Sequence, residues 1–381
     1  MVMQTRRIIA VMTAAASFFT TIQALAAPVQ TRTQYPFGQL ERKMESLDRG
    51  LVAMKTDGGI YLSWRLKNDE DAIFGSADEN VTFKVYRDGS EIDEVTDTTN
   101  YTDTDGNLNS VYKVISSLGD VSSETTAFKS GSNYFDIPLT RPAASAYGEY
   151  TINDTSVGDL DGDGEYELIV KWDSNGKDNS QSGTTGEVLL DAYKLDGTRL
   201  WNSPINLGKN IRAGAHYTQF LVYDFDGDGK AEITCKTAPG SKDATGNYVS
   251  AVSLDEDIQN CDNDADYRNS GGYVLTGDEY FTVFNGETGG AVDTIYYPNQ
   301  RLAPEVWGDS YGNRLDRFTA AVAYMDGETP YAVYMRGYYM GSGSERQAAC
   351  AISFDGERLE CTHSFDTYDV NSHRISSMIM R

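Results

Sequence analysis

Helical periodicity is missing from this chain. No extended stretch carries apolar residues at i, i+3, i+4 and i+7, which excludes a helical bundle or a coiled coil. Basic charge is also short: 32 Lys and Arg face 57 Asp and Glu, for a formal net charge of −25. That balance excludes a nucleic-acid partner held by phosphate neutralisation. Beyond the first residues, no apolar run is long enough to span a bilayer. Histidine and cysteine are scarce, at three and four. What is abundant is glycine and tyrosine, 36 and 25 residues, the material of turns and strands.

The opening residues MVMQTRRIIAVMTAAASFFTTIQALAAP have the parts of a secretory leader over 1–26. Arg6 and Arg7 are the basic start, an apolar segment follows, and Ala24-Leu25-Ala26 is a small-residue cleavage site. The expected setting is secreted or periplasmic, with no membrane attachment after cleavage. Export allows cysteines to pair. In CAISFDGERLEC, a two-residue hairpin turn at Asp355-Gly356 places Cys350 opposite Cys361, within disulfide reach. Cys235 and Cys261 are then left either paired or free.

The densest chemistry is acidic and repeats. VGDLDGDGEYELIVKW, starting at Val157, returns 65 positions later as VYDFDGDGKAEITCKT. Each copy sets carboxylates at loop positions 1, 3 and 5 (Asp159, Asp161, Asp163; Asp224, Asp226, Asp228) and a glutamate at position 9 (Glu167; Glu232). Hard oxygen ligands at alternate positions of a glycine-rich loop suit Ca²⁺. An EF-hand is excluded, because the loop runs into a β-branched strand rather than a helix. The pattern predicts two calcium loops, each joined to a strand.

Taken in order, the chain reads as all-β. Residues 37–132 hold hairpins around Asp57-Gly58-Gly59 and Asp88-Gly89, with Trp64, Phe83 and Tyr112 as core. This predicts a β-sandwich that resembles a fibronectin type III module. Residues 145–365 hold three units of two hairpins each, which predicts four-stranded blades of a partial β-propeller. In the third unit the acidic loop shrinks to Met325-Asp326-Gly327. Insertions at 239–277 and 298–316 become loops on one face. Three blades do not close a propeller, so the chain reads as C-terminally truncated, with an irregular tail over 366–381 and reduced or no activity.

The strings KWDSNGKDNSQSG, NIRAGAHYTQF, ADYRNSGGYVLTGDEYFTVFNGETG and VWGDSYGNRLDRF, together with the acidic loop, resemble the rhamnogalacturonan lyases of polysaccharide lyase family 11. The resemblance implies an eight-bladed propeller with structural calcium. It also implies cleavage of the rhamnogalacturonan I backbone of pectin by β-elimination. That reaction removes the C5 proton of a galacturonosyl unit while the C4 oxygen leaves. The adjacent carboxylate must be neutralised and a base must reach C5.

Candidates for this work are Lys171 and Lys236, at equivalent ends of the two loop strands, and His216. Each also has a structural reading, as an ion pair or a hydrogen-bonded histidine. Candidate substrate contacts are Asp173, Asn175, Arg212, Trp307, Tyr311 and Arg336. Here the alternatives are turn solvation, sheet bridging and core packing. The base stays unnamed. The rival reading is a calcium-stabilised propeller module that binds glycans or proteins without chemistry.

Overall fold

The computed structural model describes residues 43, 47–67, 70, 81–127, 134, 136–338 and 345–368. The expected leader at 1–26 and residues 369–381 of the expected tail lie outside them. The described residues are almost entirely strand and turn, as the missing helical periodicity requires. The helix described is one turn, α1 (Glu256–Gln259), capped by the Asp255 carboxylate on two backbone N–H groups. No helix among the described residues is long and apolar enough to cross a membrane.

Seven strands come first: β1 (Val52–Thr56), β2 (Gly59–Ser63), β3 (Phe83–Arg87), β4 (Ser90–Val95), β5 (Asn100–Asp103), β6 (Val111–Ser116) and β7 (Thr125–Thr126). They form two antiparallel sheets, ordered β1-β2-β5 and β4-β3-β6-β7. Alternate residues of both sheets, among them Ala53, Ile60, Leu62, Phe83, Val85, Tyr112 and Val114, fill one core with Trp64. The turn at Asp88-Gly89 has positive φ at both residues, 50° and 80°, the mirror-image geometry that matches strand twist.

Three four-stranded antiparallel sheets follow, each with its strands in chain order. The first holds β8 (Tyr150–Gly158), β9 (Glu167–Ser174), β10 (Leu189–Tyr193) and β11 (Ile205–Asn206). The second holds β12 (Phe220–Tyr223), β13 (Glu232–Thr237), β14 (Tyr280–Asn285) and β15 (Ala291–Tyr296). The third holds β16 (Phe318–Ala323), β17 (Tyr331–Arg336), β18 (Ala348–Phe354) and β19 (Leu359–Asp366).

The leading strands are neighbours: β12 lies against β8 on one side and β16 on the other. Apolar layers separate successive sheets. Ile169 and Leu190 meet Val222, Ile233 and Cys235 between the first and second. Phe281 and Val283 meet Phe318, Tyr334 and Ile352 between the second and third. Because both faces of β13 are covered, all six of its residues are buried.

The expected disulfide is absent: all four cysteines, Cys350 and Cys361 included, are free. Two features move the register. The turn spans 355–358, since Phe354 pairs with Leu359, and a bulge follows between Ala351 and Ile352. Cys350 therefore faces Ser364, and Cys361 faces Ile352. Two residues gained in the turn and one in the bulge shift the partner of Cys350 by three, from 361 to 364. The Asn285-Gly286 turn is likewise longer than two residues, since Phe284 pairs with Ala291.

Between the second and third sheets lies a buried ionic knot centred on Glu279. Its carboxylate accepts from Arg336 at 2.6 Å, Arg301 at 2.8 Å and Lys236 at 3.3 Å. Asp316 sits 3.6 Å from Lys236 and 3.7 Å from Arg336. Burial alone would raise the Glu279 pKa, but Arg301, Arg336 and Lys236 hold it well below the usual carboxylate range. Removing one partner of such a buried cluster strands the others without compensation, at about 3–5 kcal/mol. Glu279→Ala should lower the unfolding free energy by that order in urea melts. Arg141→Ala, which breaks the exposed pair with Glu149, should change it little. Equal small losses would show that the knot is dispensable.

Candidate functional site

The two acidic loops close in the same way, because both have the same spacing of Asp and Gly. Asp159 is buried, and its oxygens accept from the N–H groups of Gly162 (2.8 Å), Asp163 (3.1 Å) and Gly164 (2.9 Å). Asp224 repeats this with Gly227 (2.7 Å) and Gly229 (3.0 Å). The strand glutamates reach back, Glu167 to Leu160 N–H and Glu232 to Phe225 N–H. Asp159, Asp161 and Glu167 each present an oxygen within 4.8 Å of the others, as do Asp224, Asp226 and Glu232. Asp163 and Asp228 stand outside these groups and turn to the N–H of Glu165 and of Lys230.

The fit to a hard cation is good. One oxygen of Asp161 is buried and has no hydrogen-bond donor, and each cluster supplies carboxylate oxygen alone. Either could hold a metal ion. They differ in one residue. Lys194, just past β10, places its ammonium 2.7 Å from Asp161, 3.2 Å from Asp163 and 3.8 Å from Glu167. The second cluster has Asn285 at the corresponding place, beside Glu232 in the ladder. Glu232 is pushed up to about 9 by burial, reinforced by Asp226, Asp224 and Asp228. Burial raises Glu167 to about 7, opposed first by the Leu160 N–H and least by Lys194.

The other end of β9 builds a different environment. From Glu167 to Asp173 the strand covers about 20 Å at roughly 3.3 Å per residue, so the acidic loop cannot touch a molecule bound at Asp173. There a cavity of ≈ 330 Å³ is lined by Thr151, Asn153, Asp173, Gly176, Lys177, Asp178, Gly214 and Ala215. The loops close over it through glycine. A Cβ on Gly214, whose φ is 151°, would stand 2.1 Å from the Lys177 carbonyl.

Asp173 is buried, with neither carboxylate oxygen in a well-formed hydrogen bond. Burial raises its pKa, against the pull of Lys171 and the Gly214 N–H. Lys171, two residues earlier and on the same face, is fully buried and donates to the Thr218 carbonyl at 2.8 Å. Burial pushes its pKa down, opposed by Asp173 and Asp154. His216 lies beside the cavity, half-buried, with Nδ1 3.3 Å from the Tyr338 hydroxyl. Burial and Arg317 depress its pKa while Asp178 opposes them, so the imidazole is neutral at neutral pH.

The strand end thus gathers Lys171, Asp173 and His216, with Asn175 on the rim. Asn175 adopts a left-handed conformation (φ 53°) and donates to the Thr184 carbonyl. The remaining candidates go elsewhere. Lys236 is locked in the Glu279 knot, with its ammonium 4.5 Å from the centre of the Phe318 ring. Arg336 is buried in the same knot, and Trp307 is fully buried beneath it, its indole N–H on the Arg301 carbonyl. Arg212 spends its guanidinium on the carbonyls of Gln181 and Gly183 and the Tyr217 hydroxyl. None of these four meets the cavity; they tie loops and sheets together. Tyr311 is 39% exposed and stacks edge-on against Tyr273.

Asn153, Lys177 and Ala215 were not singled out in the sequence. Asn153 sits in the TINDTS run of β8, where nothing in composition marks it. The only usable signal was strand pairing, which sets Thr151 against Asp173.

The Glu232 carboxyl gives a pH prediction for metal-free protein. Its pKa moves from an ordinary 4.5 to about 9 on folding. The protonated form therefore stabilises the fold below the lower value, and that contribution is lost as pH rises to the upper one. In excess chelator, Glu232→Gln should gain thermal stability relative to the parent chain between about pH 5 and about pH 8. A difference that stays flat with pH would refute the burial-driven shift.

Profiles of two families match this chain. One, described as rhamnogalacturonan I lyases beta-sheet domain, covers residues 42–130. The other, described as rhamnogalacturonan lyase family 11, C-terminal domain, covers residues 134–378. Rhamnogalacturonan endolyase YesW of Bacillus subtilis is 52% identical over 307 residues, 78% of this chain and 46% of that protein. Rhamnogalacturonan exolyase YesX of the same organism is 47% identical over 338 residues, 86% of this chain and 51% of that protein. The solved Bacillus licheniformis rhamnogalacturonan lyase PL11 superposes with a TM-score of 0.72 at 49% identity, covering 86% of this chain and 54% of that one. The chain spans about half the length of the curated relatives it matches. On these matches, the chain belongs to rhamnogalacturonan lyase family 11.

Proposed function

We propose that this chain forms part of a secreted, calcium-bearing lyase that cleaves rhamnogalacturonan I by β-elimination. The observation that carries the reading is the cavity at the end of β9. There a buried carboxyl of raised pKa, Asp173, lies two residues from buried Lys171 on the same strand face, and the lining residues Gly214 and Ala215 lead directly into His216. The named relatives are an endolyase and an exolyase acting on rhamnogalacturonan, which supports the substrate class for this chain. Secretion follows the leader pattern of residues 1–26. The three meandering sheets, with β8, β12 and β16 side by side, support three propeller blades. The two-sheet unit at residues 52–126 supports a fibronectin type III-like module.

In this mechanism a galacturonosyl carboxylate enters the cavity. Lys177 donates a hydrogen bond to it, and the Asp173 carboxyl, whose pKa burial raises, donates another in its protonated form, which lowers the barrier to proton loss at C5. Lys171 does not touch the sugar: bound to the Thr218 carbonyl, it sets the charge on Asp173. His216 takes the C5 proton, a C4=C5 double bond forms, and the C4–O bond breaks, releasing the rhamnosyl oxygen as a hydroxyl once protonated. Calcium belongs to the acidic loops, held by Asp159, Asp161 and Glu167 and by Asp224, Asp226 and Glu232. When bound it supplies compensating charge that clips each loop to its strand, about 20 Å from the chemistry.

Elimination leaves a conjugated, ultraviolet-absorbing unsaturated uronide. Purified chain with rhamnogalacturonan I and Ca²⁺ should produce that absorbance. Asp173→Asn and His216→Ala should each reduce the rate at least about a hundredfold, the usual order for a lost acid–base group, without lowering the melting temperature. Binding without any absorbance rise would instead favour the non-catalytic glycan-binding module.

The calcium assignment has its own test. Asp226→Ala should abolish most of the melting-temperature gain on adding Ca²⁺, yet change little in chelator. Asp161→Ala should do less, because Lys194 already compensates part of that cluster. Equal losses in Ca²⁺ and in chelator would rule out a metal at either loop.

A further inference from the structure

We propose that a second cavity, on the opposite face of the same strand end, binds a uronate carboxylate of the acidic glycan; this rests on the substrate class proposed above. Consecutive residues of a strand point to opposite faces. Asp173 enters the first cavity, and Ser174 turns the other way to bond Ser145 at 2.7 Å and the Gly148 carbonyl at 2.8 Å. In β8 the same alternation sends Thr151 to the first cavity and Tyr150 to the second. The turn held by Ser174 is one wall of a cavity of ≈ 700 Å³. Its other walls come from the start of β10, the β11 edge and the insertion after β13. The backbone of Lys242 in that insertion pairs in both directions with Asn206 of β11.

The charge within this cavity runs against that of the chain. The whole sequence carries −25, yet Lys209, Lys242 and Arg268 converge here. The two lining carboxylates are already engaged. Glu187 accepts from the Asn206 amide at 2.6 Å. Asp243 accepts backbone N–H groups from Thr245, Asn247 and Ala291.

The cations are less committed. Lys242 makes no ion pair among the described residues, and its ammonium stands 4.7 Å from the centre of the Tyr248 ring. Lys209 gives one of its three protons to the Asp264 carbonyl at 2.7 Å. Arg268 is braced by Asp266 through two hydrogen bonds of 2.8 and 2.6 Å and also meets the Tyr147 side chain, which fixes its plane at the cavity wall. Tyr147, 44% exposed on the anchored turn, lines the same cavity and is a hydrogen-bond partner of Arg268.

Ammonium and guanidinium groups with an aromatic platform in a cavity of this size match one or two sugar units bearing a carboxylate. Neutral sugars would leave the Lys242 ammonium without an ion partner. Because the two cavities share one strand end, a polymer seated at Asp173 has its neighbouring units close to the second.

The test is calorimetric titration of the full chain with a rhamnogalacturonan I oligosaccharide and with its carboxyl-reduced counterpart. The parent chain should bind the acidic form at least about tenfold more tightly. Lys242→Gln with Arg268→Gln should erase that preference while the melting temperature holds. Lys242→Gln alone, which breaks no ion pair, should remove part of it and guards against a folding defect of the double variant. If the parent chain binds and the variants bind equally, the second site is wrong and the substrate class stands. If the preference is lost in the variants but no unsaturated product forms, the site stands and the lyase reading falls. If the parent chain binds neither form, both fall.

Discussion

Buried negative charge is the constraint on which the three-sheet region depends. A carboxylate taken out of water destabilises the fold unless a cation or several N–H groups meet it, or unless it takes up a proton. This chain buries carboxylates at every sheet and meets each case with a different device. Glu279 is surrounded by Arg336, Arg301 and Lys236. Asp191 has Arg199 at 2.8 Å. The first acidic loop has Lys194, whereas the second has no ammonium at that place and leaves Glu232 the more strongly perturbed. Asp173 has only Lys171 and one N–H to oppose its burial, and it keeps a raised pKa. Where compensation is complete the group is scaffold; where it is partial the group remains open to a ligand or a proton.

The sequence showed the parts of this arrangement governed by short-range rules. Asp-Gly turns flanked by alternating residues located the hairpins at 57–58, 88–89 and 196–197. The repeated D-x-D-x-D-G loops located both acidic clusters, because one loop sequence folds one way twice. The all-β class followed from the same patterns, and Trp64, Phe83 and Tyr112 fell in the core as their spacing required.

What stayed hidden depends on partners far along the chain. Lys171 and Lys236 occupy equivalent strand positions and look interchangeable in sequence. Each faces the following sheet, and there they part. Lys171 meets the carbonyl of Thr218, while Lys236 meets Glu279 and Asp316. Trp307 and Arg336 resembled sugar contacts because tryptophan and arginine serve both recognition and packing; only the closure of the 298–316 insertion under β17 decided for packing. The cysteine register failed for a smaller reason. Three extra residues, two in a turn and one in a bulge, moved Cys350 opposite Ser364.

The separation along β9 orders the functional argument. Its first residue, Glu167, belongs to an acidic cluster; at its other end Asp173 lines one cavity and Ser174 holds the turn that walls a second. A strand buried on both faces and braced at its far end is a stiff support, so small shifts at the cavity are resisted by packing rather than by loop contacts. Such a support suits the polymeric substrate proposed above, whose units would need to be held in one register during cleavage. It also explains why the loops beyond β9 carry glycine at 176 and 214. The backbone must approach Asp173 closely to narrow the cavity, and a Cβ at Gly214 would collide with the chain that closes it. Rigidity comes from the strand and closeness from the glycines, and a carboxyl held between them can keep a raised pKa without losing its place.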